Sequence, residues 1–149
     1  MRYMTNIKVR YNETDQMGVV YHGNYFAWFD IGRTGFLGSI GLPYGQLEDD
    51  GVLLPVIEAN CKYKKPAKYG DELIIVAELA KLKGIRIEFD YEIYRKKDNT
   101  LLAEGYTLHA FVDKDLKPLN LKKKYNNVWE LLKENWLCKL NMKKYHNVL

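Results

Sequence analysis

Cysteine, proline and histidine are scarce: two, four and three residues among 149. Two cysteines, Cys61 and Cys138, are too few for the multi-bridge framework of a small secreted domain. The three histidines stand far apart, with no cysteine or carboxylate at ligand spacing, so no zinc motif is present. There is no phosphate loop and no dinucleotide fingerprint, and no metal or redox cofactor is expected. No apolar run approaches the roughly 18 residues that a membrane-crossing helix requires. The opening MRYMTNIKVRYNETD is polar and strand-like, unlike a secretory leader. A cytoplasmic protein of a reducing compartment, without a membrane span, is expected.

What remains is ordinary globular composition, 47% hydrophobic and 28% charged, long enough for one substantial core. The net charge of +4 is uneven. Residues 1–120 hold 16 Lys and Arg against 17 Asp and Glu, whereas residues 121–149 hold 7 Lys against 2 Glu. A nucleic-acid reader would carry its basic stripe on the folded body, so no nucleic-acid partner is expected. The basic tail reads either as a solvated helix face or as a contact for an anionic partner.

The hydrophobic periodicity sets out an α+β chain. Thr5–Tyr11 alternates as a strand. After the polar loop Asn12–Gly18, Tyr21–Ile40 places its aromatic residues at steps of three and four, predicting a helix apolar around much of its circumference and therefore enclosed by other structure. Gly32, Gly35 and Gly38 within it suggest close approach of a neighbouring backbone, and Gly41 and Pro43 end it. Four long strands follow, at Leu54–Lys64, Leu73–Leu82, Ile85–Tyr94 and Leu101–Val112. The connections between them are short enough for antiparallel hairpins. The run LIIVAELAKL reads as a strand covered on both faces. Such strands are long enough to curl around the early helix. After Pro118, Leu121–Leu140 predicts an outer amphipathic helix, and Asn141–Leu149 an end that frays. The domain division is 1–120 for the sheet and central helix, and 121–149 for a C-terminal helix with a basic tail.

The densest chemistry lies in Tyr11–Arg33, YNETDQMGVVYHGNYFAWFDIGR. Asp15 precedes the helix, and His22, Gly23 and Asn24 lie where it begins. A helix start presents unpaired N–H groups and a positive dipole end, which suit a developing oxyanion. A carboxylate across from it can act as base or nucleophile, a pairing fitted to acyl transfer. By spacing alone Asp15 equally reads as a turn residue. His109 reads as a satisfied strand histidine, His146 as solvated, and Cys61 as a small buried residue.

The segment Asp15-Gln-Met-Gly18-Val-Val-Tyr21-His22-Gly-Asn24-Tyr25, preceded by Val9-Arg10-Tyr11, resembles the opening signature of the 4-hydroxybenzoyl-CoA thioesterase family, in particular its small Tol-Pal-associated bacterial acyl-CoA thioesterases. The block Tyr63-Lys-Lys-Pro66-Ala-Lys-Tyr-Gly70-Asp71-Glu72-Leu73 is similar to that family's turn between consecutive strands. The likeness spans roughly residues 5–135. It implies the hotdog fold, a curled antiparallel sheet around one central helix, with subunits that pair through their sheets as a homodimer or homotetramer.

The resemblance implies hydrolysis of an acyl-CoA, or of an acyl carrier protein thioester, to the free acid and thiol. Asp15 matches the essential carboxylate, as nucleophile or general base. His22 matches the position whose backbone N–H polarises the thioester carbonyl. Gly23 stands where a small residue is usual. Tyr21 and Asn24 match flanking positions, expected to pack and cap. Glu58 is a candidate for the wall that a neighbouring subunit contributes. Lys62, Lys64, Lys65 and Lys68 form a pool for the phosphates of coenzyme A, or else a solvated strand end. Tyr25, Phe26, Trp28 and Phe29 are candidates for an acyl tunnel, or simply core. Two rival functions stand beside this one: a hotdog enoyl-thioester hydratase with Asp15 and His22 as its acid–base pair, and a non-catalytic acyl-group binder or adaptor docking through the Lys-rich tail.

Overall fold

The computed structural model describes residues 2–146, with side chains through residue 136. The expectations for Cys138, Leu140 and His146 fall outside the described side chains, and residues 147–149 outside the described chain.

Five strands, β1 (Arg2–Lys8), β2 (Val56–Tyr63), β3 (Glu72–Lys83), β4 (Arg86–Arg95) and β5 (Thr100–Ala110), form one antiparallel sheet in the order β1-β3-β4-β5-β2. The helix α1 (Asn24–Ser39) lies against its inner face. The strict alternation expected for Ile85–Tyr94 appears as Ile87, Phe89, Tyr91 and Ile93 buried, while Ile85 falls in the β3–β4 turn. On β3, Leu73, Ile75, Ala77 and Leu79 are buried toward the helix, and Val76 is buried on the other face between Met4 and Glu92. Phe29 of α1 stacks on Tyr91, ring centres 4.4 Å apart.

Several expectations change. The first strand runs Arg2–Lys8, because Tyr11–Glu13 turns into a short 3₁₀ segment. The connection Ala67–Glu72 is no hairpin: β2 pairs with β5 at the far edge, and the chain crosses the sheet end before starting β3. The strip Ala27, Asp30, Ile31, Thr34 and Gly38 of α1 is exposed, so this chain encloses the helix on its sheet side only. Gly32 and Gly35 do mark close approach, but to side chains rather than backbone. A Cβ on Gly32 would lie 2.9 Å from the Ile75 side chain, and one on Gly35 would overlap the Tyr3 ring; Gly38 has nothing within 4 Å.

A short helix, α2 (Tyr44–Asp49), follows α1 and was not expected. The C-terminal helix is split into α3 (Leu121–Lys124) and α4 (Asn126–His146). The break falls at Tyr125, whose hydroxyl donates to the Asp50 carbonyl at 2.7 Å. Leu121, Val128 and Leu132 join the same core as the sheet, and Trp136 donates its indole N–H to the Ala80 carbonyl at 3.0 Å. The helix continues past the expected end at Leu140 to His146. No described helix is long and apolar enough to cross a membrane.

Candidate active site

The loop before α1 is a tight reversal. Asp15 N–H donates to the Val19 carbonyl at 2.8 Å, Gly18 N–H returns to the Asp15 carbonyl at 3.0 Å, and Thr14 bridges Val20. Gly18 sits at φ +79°, the left-handed region that glycine enters without a Cβ penalty. Asp15 Oδ1 accepts the Met17 N–H at 2.8 Å, so the turn-residue reading of this aspartate is correct for one oxygen. Oδ2 has no partner among the described residues. Bracing through one oxygen aims the carboxylate and leaves the other available.

The loop is tied to the helix by a residue that no motif in the sequence marks. Glu13 is buried. Its Oε2 accepts the Trp28 indole N–H at 3.0 Å, and its Oε1 accepts the Arg10 backbone N–H at 2.8 Å. The Glu13 carbonyl accepts from Tyr21 N–H at 2.9 Å and from the Asn24 side-chain amide at 2.8 Å. Asn24 therefore works as a tether between loop and helix and caps nothing. No local signal announces Glu13, because its partner lies fifteen residues away on the first turns of α1.

At the helix start, Asn24 N–H donates to Tyr21, Tyr25 N–H to His22 and Phe26 N–H to Gly23. The N–H groups of His22 and Gly23 have no acceptor among the described residues. Two unpaired donors at the positive end of a sixteen-residue helix form an electropositive spot. The Tyr21 ring fills the space beside Gly23: a Cβ there would come within 2.8 Å of it. Tyr21 also packs on the His22 imidazole, 4.4 Å between ring centres.

Asp15 and His22 meet in one cavity of about 330 Å³, whose other walls include Val20, Tyr25, Tyr63, Lys64 and Lys65. Tyr25 accepts the Ala67 N–H at 3.3 Å through its hydroxyl oxygen, and its ring meets Tyr63 edge-on at 5.0 Å. Burial pushes the Tyr25 phenol up from its ordinary range. The Tyr63 hydroxyl donates to the His22 carbonyl at 2.9 Å. Tyr63 stands in the second block of the sequence resemblance, yet its strand position alone gave no sign of this contact.

The remaining candidates separate. Lys64 and Lys65 reach the cavity, with Lys64 Nζ also 3.5 Å from Glu104. Lys62 lies with Asn60, Asp90, Glu92, Glu104 and Tyr106 in a separate cavity of about 280 Å³ formed by β2, β4 and β5. Lys68 pairs its backbone with Val19 and Asp71 and is exposed. Glu58 is exposed on β2 beside Tyr106. Trp28 and Phe29 are core, while Phe26 is half-buried. Cys61 is half-buried, and burial pushes its thiol up, as befits a packing residue.

His109 is fully buried and satisfied within the chain. Nδ1 lies 3.0 Å from the Leu54 carbonyl, and Nε2 lies 3.0 Å from Arg33 and 2.8 Å from the Thr107 hydroxyl. Since a guanidinium only donates, Nε2 accepts and the proton sits on Nδ1. Burial first, and the Arg33 charge second, push its pKa down to about 4.

Known proteins resemble this chain throughout. The model of the thioesterase-like superfamily matches residues 9–143. YneP of Bacillus subtilis (strain 168) is 38% identical over 120 residues, 80% of this chain and 86% of YneP. The acyl-CoA thioester hydrolase YbgC of Escherichia coli O6:H1 is 33% identical over 116 residues, 78% of this chain and 83% of YbgC. A crystal structure of DHNA-CoA thioesterase from Staphylococcus aureus superposes with a TM-score of 0.88 at 31% identity, covering 96% of this chain and 95% of that one. A sheet curled on one helix, a loop aspartate and a helix-start histidine lining one cavity, and a family match over most of the length agree: the chain is a hotdog-fold member of the thioesterase-like superfamily, an enzyme of the thioester hydrolase class.

Proposed function

We propose that the protein hydrolyses an acyl-CoA to the free acid and coenzyme A, with Asp15 as the reacting carboxylate and the start of α1 as the oxyanion site. The observation that carries this reading is the shared cavity. Asp15 and His22 both line it, and among the described residues one Asp15 oxygen and the His22 and Gly23 N–H groups have no partner, which supports this reading. A thioester carbonyl seated there would build negative charge on its oxygen against these donors. Asp15 then acts in one of two ways. It attacks the carbonyl carbon, expels the thiolate and forms an anhydride that water opens, or it takes a proton from water as that water attacks. Either way water supplies the hydroxyl of the acid and a proton to the departing sulfur. Lys64 and Lys65 at the cavity suit the phosphates of the carrier; coenzyme A is the carrier proposed, with an acyl carrier protein as the variant.

The working unit is proposed to be a homodimer or homotetramer. Strand β2 is a sheet edge whose backbone donors and acceptors face outward on one side, and it exposes Val56 and Ile57, a surface that open edges seldom leave bare. Glu58 on that strand would then face the second copy. Analytical ultracentrifugation at micromolar concentration is expected to give a dimer or tetramer; a monomer removes this part.

The reaction is tested by offering short and long aliphatic and aromatic acyl-CoAs and following free thiol. Hydrolysis of at least one is expected, and Asp15→Asn is expected to abolish it. Enoyl-CoA hydration without thiol release would favour the hydratase reading, and no turnover with retained acyl-CoA binding the non-catalytic one.

A further inference from the structure

We infer that Tyr63 is a positioning residue for thioester cleavage: through the His22 carbonyl it fixes the first turn of α1 relative to Asp15. This deepens the proposed reaction and rests on it. The His22 carbonyl accepts twice, from the Tyr63 hydroxyl at 2.9 Å and from the Tyr25 N–H at 3.3 Å. The Tyr63 ring also stands edge-on to the His22 imidazole, 6.2 Å between centres. Tyr63 thus holds His22 by backbone and by ring, from a strand on the far edge of the sheet, while lining the cavity that contains Asp15.

The peptide unit is planar, so its C=O and N–H turn together. Pinning the His22 carbonyl fixes the direction of the Gly23 N–H and limits rotation about His22, the two residues whose N–H groups lack acceptors. Donation to the carbonyl also polarises that peptide and strengthens its N–H as a donor. Oxyanion donors act through such fixed placement. Loss of water around the hydroxyl, reinforced by Cys61, pushes the Tyr63 phenol up to about 12, so it remains a donor across the working range. The residue is 45% exposed and outside the core, so its contribution to folding is small. A core aromatic would not allow placement and stability to be separated in this way.

Tyr63→Phe in the full chain keeps the ring and removes the hydroxyl, with its hydrogen bond to the His22 carbonyl and its contact with the Cys61 thiol. On any acyl-CoA that the wild type hydrolyses, kcat is expected to fall about tenfold, with KM within about twofold and the melting temperature unchanged. In the same variant the His22 carbonyl carbon and Gly23 amide nitrogen resonances are expected to move as the bond is lost. An unchanged kcat, unmoved resonances, or a loss of rate that merely follows a loss of melting temperature overturns the inference while the hydrolase reading stands. A wild type that releases thiol from no acyl-CoA overturns the hydrolase reading and the role of Tyr63 in it.

Discussion

Helix α1 meets polar chemistry at its first turn and again at its middle. At the first turn, His22 and Gly23 N–H groups and one Asp15 carboxylate oxygen have no partner among the described residues, and a cavity lined by Asp15 and His22 opens there. At the middle, Arg33 pairs with Asp30 at 3.0 Å and donates to His109, His109 reaches Leu54 and Thr107, and Thr107 meets the Tyr91 hydroxyl at 2.7 Å. Of the described buried side-chain nitrogen and oxygen atoms, only Arg33 Nε is left without a partner there. The same helix therefore carries one polar cluster whose buried groups, all but Arg33 Nε, pair with one another, and one that borders a cavity. Buried polar groups that satisfy each other specify a fold, because any defect leaves a desolvated group unpaired. Accessible groups left unsatisfied have binding capacity in reserve, and that is where a substrate can be met.

If the middle cluster is structural, its signature is a pH dependence of stability. The pKa of His109 in the folded chain, about 4, lies below the ordinary 6.5. Between those values the unfolded chain binds more protons. Stability is thus complete above about pH 6.5 and falls as the pH drops toward 4, by up to about 3 kcal/mol in total. Urea titrations at stepped pH should record this loss, and His109→Gln should flatten it. A wild-type stability that holds level from pH 7 to pH 4 would remove His109 from the account.

A much smaller effect is expected at the open end. Gly23→Ala adds a Cβ against the Tyr21 ring, which is half exposed and free to swing aside. The unfolding free energy from urea titration is expected to change by no more than about 0.5 kcal/mol, as is typical of surface changes. A large destabilisation would mean that the Tyr21–His22 ring contact is as rigid as the middle cluster, and the contrast between the two regions would blur.

The fold was legible because long strands alternate and the aromatic helix does not, patterns that the alternating face of β4 and the aromatic face of α1 carry in full. Strand order was less legible: a short Ala67–Glu72 link looks like a hairpin, and only the pairing of β2 with β5 tells otherwise. At the site, Asp15 and His22 announced themselves through the resemblance, and neighbouring loop and helix-start positions brought them together. Glu13, Tyr63 and the Arg33 cluster gave no local sign, since each acts through a partner on a distant element: Trp28, His22 and His109. The lysines divided for a geometric reason, because Lys64 and Lys65 follow the end of β2 into the cavity while Lys62 stays within the strand.

The central claim is that an aspartate braced by its own turn reacts at the open end of this helix. Its most direct test compares wild type with Asp15→Asn on the best acyl-CoA. The substitution keeps the side chain's size and its oxygen toward Met17. A fall in kcat of about a thousandfold or more is expected, with unchanged melting temperature. Turnover by the asparagine variant at the wild-type rate would contradict the claim.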